Sequence, residues 1–131
     1  MPTEPRYDRV PYPTNPCPEA HISRIGALAR IFGIAAAAPD GCSVLELGCG
    51  SGGHLFSMAR QLPQTRFVGL DLSEVEIGRA RSRCKVLGLQ NVELIHASIT
   101  DIDPELGEFD YVIAHGIYSW VPDEVRQAVL V

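Results

Sequence analysis

The 131-residue sequence predicts an α/β fold: a doubly wound parallel sheet with helices packed on its faces. Three observations carry that expectation. Short apolar runs alternate with stretches of helical periodicity, the pattern of successive βα units. The first run, SVLELG at 43–48, leads directly into a glycine-rich stretch. The second, RFVGLD at 66–71, ends on an acid, Asp71.

Residues 1–18 form a separate stretch, with prolines at 2, 5, 11, 13, 16 and 18. That density blocks helix and strand pairing alike. An extended proline-rich arm is expected, laid across the domain through Tyr7, Val10 and Tyr12. The domain proper covers 19–131. It opens with a helix over about 19–33, with Ile22, Ile25, Leu28, Ala29 and Phe32 on one stripe and Gly33 ending it. The run AAAAPDG, to Gly41, is a linker. After the buried strand at 43–48, Leu55, Met58, Ala59 and Leu62 recur at helical spacing until Pro63 closes the helix.

Beyond the strand at 66–71, Ser73 and Glu76 form a capping box, S-x-x-E, opening a helix over 73–88. Its inner face is read as Ile77, Ala80, Cys84 and Leu87, and Gly88 sits where a terminating glycine belongs. VELIH (92–96) and FDYVIAH (109–115) are the third and fourth strands. A last helix begins near Pro122, with Asp123 and Glu124 in its positive first turn. VRQAVLV, 125–131, carries no stop signal, so the chain reads as a truncation inside a helix.

Composition narrows the function. With 46% hydrophobic and 21% charged residues the chain is globular, and no apolar run reaches the roughly 20 residues of a membrane helix. The N-terminus lacks an apolar core, so no secretory signal is read and a soluble cytoplasmic protein is expected. A net charge of −5 without a Lys/Arg cluster offers nucleic acid no docking face. Cys17, Cys42, Cys49 and Cys84 include no CxxC pair, and Cys17 with His21 makes only two ligands. Free thiols are expected, and no metal site.

The most informative stretch is ELGCGSGG, 46–53, at the junction where such sheets hold a nucleotide-like ligand. Gly48, Gly50 and Gly52 permit a sharp turn and a close backbone approach. Gly48, Gly50 and Gly53 also satisfy G-x-G-x-x-G, with Asp71 at a fitting distance downstream, so a dinucleotide remains a second reading. Glu46 separates the two. Its carboxylate would repel a pyrophosphate but suits a ligand bearing an amino group and a sulfonium. Asp71 ends its strand where an acid accepts from ribose hydroxyls. Leu72 is placed to pack on an adenine face, and Ala97 and Ser98 follow the third strand where the ring's edge would lie.

Together ELGCGSGG, the acid in GLDLS and FDYVIAHG resemble the class I S-adenosylmethionine-dependent methyltransferases, over about residues 20–131. More narrowly, YPTNPCPEAHISRIGALARIFG followed by HGIYSWVPDEVR looks like the bacterial group with a downstream regulatory domain, some members of which methylate protein lysines. The resemblance implies a Rossmann-like seven-stranded sheet, of which four strands are present here. It also implies S-adenosylmethionine as cofactor, contacted by Glu46, Gly48, Gly50, Asp71 and Ser98. With Cys49, Gly52, Leu72, Ala97 and His115 these make up the expected cofactor shell. The sequence departs at His54, where relatives often carry a smaller or amide residue, and at Ser98, where an acid is common.

Methyl transfer from a sulfonium needs orientation and a dry site more than a general base. HGIYSW, 115–120, follows the fourth strand beside the switch point, so His115, Tyr118 and Trp120 are candidates to face the methyl group or its acceptor. An imidazole there accepts a proton near neutral pH. The alternatives are a ring bonded to backbone for His115, and core packing for both aromatics. His21 and His54 read as ordinary surface or helix-start residues. An NAD-dependent oxidoreductase and a non-catalytic cofactor-binding module stand as rival readings. A methyl acceptor, a protein in some relatives, is the expected partner. The fourth strand, lacking its outer neighbour, is an edge expected to promote self-association.

Overall fold

The computed structural model describes residues 13–117, 119 and 121–130; the arm contacts expected of Tyr7, Val10 and Tyr12 fall outside them. Four strands, β1 (Ser43–Leu47), β2 (Arg66–Asp71), β3 (Val92–His96) and β4 (Tyr111–Ile113), make one parallel sheet in the order β3-β2-β1-β4. The helices are α1 (Ile22–Ile31), α2 (Gly53–Gln61), α3 (Glu74–Leu87) and α4 (Asp123–Leu130). The chain steps outward from β1 through β2 to β3, then returns to lay β4 on the other side of β1. The four parallel strands and the doubly wound order are those expected from the sequence.

The central strands β1 and β2 carry apolar side chains on both faces because both faces are covered, whereas Val112 of the outer β4 is 56% exposed. Val44, Phe67, Tyr111 and Ile113 face a core shared with Ile22, Leu55, Met58 and Ala80 of α1, α2 and α3. Leu45, Leu47, Val68 and Leu70 pack on the other side against Ile99, Leu106 and Val129. Register places Glu46 between Gly69 of β2 and Ile113 of β4.

Several boundaries and faces differ from the sequence reading. Pro18–Ala20 is a 3-10 turn, and α1 starts only after His21, whose Nδ1 accepts from the Ser23 amide at 3.1 Å. On the inner face of α1, Ile22 and Gly26 are buried and Ile25 and Ala29 half-buried; Leu28 and Phe32 point outward, Phe32 being 78% exposed. The helix is rolled because Gly26 lies on Tyr111. A Cβ at Gly26 would stand 2.5 Å from the Tyr111 hydroxyl, which itself donates to the Ala37 carbonyl at 2.5 Å. Gly26→Ala is therefore expected to destabilise the fold by about 1–3 kcal/mol, the usual cost of overpacking. An unchanged melting temperature would show that Tyr111 moves aside freely.

β4 is shorter than FDYVIAH suggests. Phe109 and Asp110 belong to the preceding turn, where Asp110 Oδ2 accepts from the Ser43 amide at 2.8 Å and its hydroxyl at 3.1 Å. That clamp aligns the starts of β1 and β4. The capping box is half formed: Ser73 accepts from the Glu76 amide, but the Glu76 carboxylate pairs with Arg79. Leu87, expected on the inner face of α3, is 49% exposed, since the chain reverses at Gly88 and Leu89 packs inward in its place. α4 begins one residue after Pro122, whose carbonyl accepts from the Val125 and Arg126 amides. Among the described residues no helix is long and apolar enough to cross a membrane.

Candidate functional site

The strand ends gather the candidate residues at one edge of the sheet, at the switch point between β1 and β4, where open α/β sheets bind ligands. β1 runs into the loop 48–52, and the Gly48 and Cys49 amides both donate to the Leu70 carbonyl, at 2.7 and 3.1 Å. This pins the loop to the end of β2. Asp71, the next residue, holds it from the other side: Oδ2 accepts from the Gly50 amide at 2.8 Å, Oδ1 from the Ser73 amide at 2.9 Å. Its carboxylate thus joins the glycine loop to the start of α3. Each oxygen still has a lone pair for a further donor.

Glu46 is the anomaly. It is 6% exposed, and its Oε2 has no hydrogen-bond partner among the described residues. Burial, and secondarily the charge of Asp71, push its carboxyl up to about 8. A buried acid without a partner costs free energy unless a ligand completes it. The donor set suits a cation: two acids at the foot of a glycine loop, of which Glu46 would ionise fully near neutral pH only beside a positive charge.

Cys49 enters this region with its backbone only. Its side chain is buried over Gly69, and burial pushes the thiol up. Gly52 caps α2 in a left-handed conformation, with the Phe56 ring where a Cβ would be. Leu72 is 52% exposed, an open apolar surface beside Asp71. The Ala97 amide donates to the Asp71 carbonyl at 3.1 Å. Ser98 caps the turn Ile99–Asp101, its hydroxyl accepting from the Thr100 amide and bonded to the Thr100 hydroxyl at 2.9 Å. That bond ties the Ser98 hydroxyl to its own turn while leaving it capacity for one further partner.

Beyond β4, Ile117 lies against Gly48, and His115 is exposed on the rim with Nε2 3.5 Å from the Cys17 thiol. Tyr118 and Trp120 lie outside the described residues. Among the described residues no three His, Cys, Asp or Glu side chains group to hold a metal ion.

Two residues escaped the sequence reading. His54 is at a helix start but is not an ordinary surface residue: it is buried, with Nδ1 accepting from the Cys17 amide at 3.0 Å and Nε2–H donating to the Ala20 carbonyl at 3.3 Å. Burial lowers its pKa. Thr14 lies on the loop itself, its hydroxyl accepting from the Gly53 amide at 3.0 Å and bonded to the Ser51 hydroxyl at 2.9 Å. The signal for His54 was its place directly after the glycines, where the first turn of α2 faces inward. No local signal marks Thr14, which is 39 residues from Gly53.

Residues 44–131 match a family described as a methyltransferase domain. Over 123 residues the chain is 46% identical to the uncharacterized protein RP789 of Rickettsia prowazekii, covering 94% of this chain and 22% of that protein. It superposes on PKMT2 from Rickettsia typhi, solved with AdoHcy, with a TM-score of 0.87 and 33% identity, over 92% of this chain and 23% of that one. The N-terminal domain of EvdMO1, solved with SAH bound, gives a TM-score of 0.62 and 33% identity, over 82% of this chain and 42% of that one. The chain thus spans under a quarter of the length of the two rickettsial proteins.

Proposed function

This chain belongs to the methyltransferase-domain family, and from that premise we propose that the crevice at the ends of β1, β2 and β4 holds S-adenosylmethionine, the domain being the cofactor-binding part of a methyltransferase. A protein side chain is the acceptor we propose, on the similarity to PKMT2 and to the group with protein-lysine methyltransferases. When bound, S-adenosylmethionine supplies a methyl group on a cationic sulfur, open to in-line displacement. The chain's own residues bind, orient and exclude water.

The observation that carries this reading is the buried, unpartnered Oε2 of Glu46 beneath the glycine loop. It accepts from the cofactor's amino group and acquires a compensating positive charge. Asp71, already anchored by two amides, uses its remaining lone pairs for the ribose hydroxyls. Leu72 offers its exposed surface to the ring. His115, on the rim of β4, is positioned to take a proton from an acceptor.

The test is calorimetry on the full-length protein with S-adenosylmethionine, S-adenosylhomocysteine and NADH. The first two are expected to bind and NADH to fail, because Glu46 puts a buried acid at the foot of the glycine loop, where a dinucleotide would place its pyrophosphate and S-adenosylmethionine its amino group. Binding of NADH without S-adenosylhomocysteine would assign the site to an oxidoreductase. Binding of S-adenosylmethionine without methyl transfer to protein would remove the protein acceptor, and without transfer to any acceptor would leave a non-catalytic module.

A further inference from the structure

The glycines of the loop have an occupant already. A Cβ on Gly53 would run into the Thr14 carbonyl, and one on Gly50, which has φ +54°, into the Thr14 methyl group. Gly50, read from the sequence as room for a ligand, is in the fold room for residue 14, and so is Gly53, read only as the last glycine of the dinucleotide pattern. The arm is seated there by three further ties. The Thr14 hydroxyl takes the Gly53 amide at the head of α2 and touches Ser51. The His54 ring grips both ends of the following segment, at the Cys17 amide and the Ala20 carbonyl. From there the Cys17 thiol reaches His115 beyond β4.

Thr14 to Cys17 therefore runs from the glycine loop on the β1 side of the switch point to His115 on the β4 side, and Ala20 returns to His54 at the head of α2. Pro16 and Pro18 stiffen it by fixing their φ angles. A flexible tail would lose much entropy on being pinned at both ends; a proline-rich one loses less.

We propose that residues 14–20 are a strap forming one wall of the cofactor crevice, with Thr14 and Cys17 as positioning residues and His54 as the anchor. The strap lifts for cofactor to enter or leave, so it governs exchange rather than chemistry. This rests on the reading that the glycine loop holds S-adenosylmethionine.

Two measurements on the full-length protein decide it. In the first, T14C and S51C are combined in a Cys17→Ser background, placing two thiols where hydroxyls already touch. Oxidation closes the strap on the loop and reduction reopens it, so each sample is its own control for folding. S-adenosylhomocysteine release, followed by stopped flow, is expected to slow about tenfold or more on oxidation and to recover on reduction, as for a locked lid. Equal off-rates in the two states overturn the proposal. The second needs no variant: amide hydrogen exchange at 14–20 is expected to slow when S-adenosylhomocysteine is added to the native protein, and unchanged exchange in a protein that binds it overturns the strap. A protein that binds no S-adenosylhomocysteine removes the cofactor reading, and the strap with it.

Discussion

S-adenosylhomocysteine is expected to bind more tightly as the pH rises from about 6 to about 8, approaching tenfold per unit, with release of close to one proton. The cause is Glu46. In the free protein its carboxyl sits at about 8 instead of 4.5, because it is buried and faces the charge of Asp71. Near neutral pH it is therefore mostly protonated. The ligand's ammonium favours the carboxylate, so the bound protein holds fewer protons than the free one, and affinity climbs with pH until Glu46 is ionised without help. The free protein's stability has the matching sign. A group whose folded pKa is raised contributes fully below 4.5, and that contribution is lost as the pH rises through about 8. His54 acts in the opposite sense. Its lowered pKa stabilises the fold above its usual 6.5, and that contribution is lost as the pH falls. The Glu46 effect is thus best read above pH 6.5. Glu46→Gln is expected to abolish the pH dependence and weaken binding by about 3 kcal/mol, the scale of breaking a buried charge pair. Calorimetry in buffers of different ionisation enthalpy counts the proton directly. No proton release, with affinity flat from pH 6.5 to 8, would remove Glu46 from the amino-group role.

Asp71→Ala is expected to act on fold and ligand together. The carboxylate accepts from the Gly50 and Ser73 amides, and hydrogen bonds to a charged acceptor contribute about 1.5–3 kcal/mol each. Losing them frees the loop from α3 and lowers the melting temperature of the ligand-free protein. Loss of the ribose contact adds about 1–3 kcal/mol on S-adenosylhomocysteine binding, roughly 5- to 150-fold in Kd. The two effects separate cleanly. A melting temperature that falls while affinity holds would make Asp71 a staple of the loop alone.

Much of this was legible in sequence, for a local reason. An apolar run ending in glycine, or an acid closing a strand, lies within a few residues of what it forms. β1, β2 and β3, α2 and α3, and the placing of Glu46, Gly48, Gly50 and Asp71 at one edge all follow from spacing and strand order. The failures are also local in form. Leu28, Phe32 and Leu87 keep helical spacing yet face outward, because the roll of α1 and the end of α3 depend on what those helices meet. Gly26 was invisible as a contact because a glycine adds nothing to an apolar count, although its bareness is what admits Tyr111.

By itself, then, the sequence determined the order of elements, the parallel sheet and the acid-and-glycine composition of the crevice, since these depend on periodicity and on chemistry carried by neighbouring residues. Only the tertiary structure decided that Glu46 is left without a partner, that Asp71 holds the loop, and that His54 grips the arm. It also decided that Thr14 fills the space beside the glycines. These are contacts between residues far apart in the chain, 98 positions in the case of Cys17 and His115. No spacing rule reaches that far. Such pairs meet because the sheet order sets the loops after β1 and β4 side by side, within reach of the segment from Thr14 to Cys17.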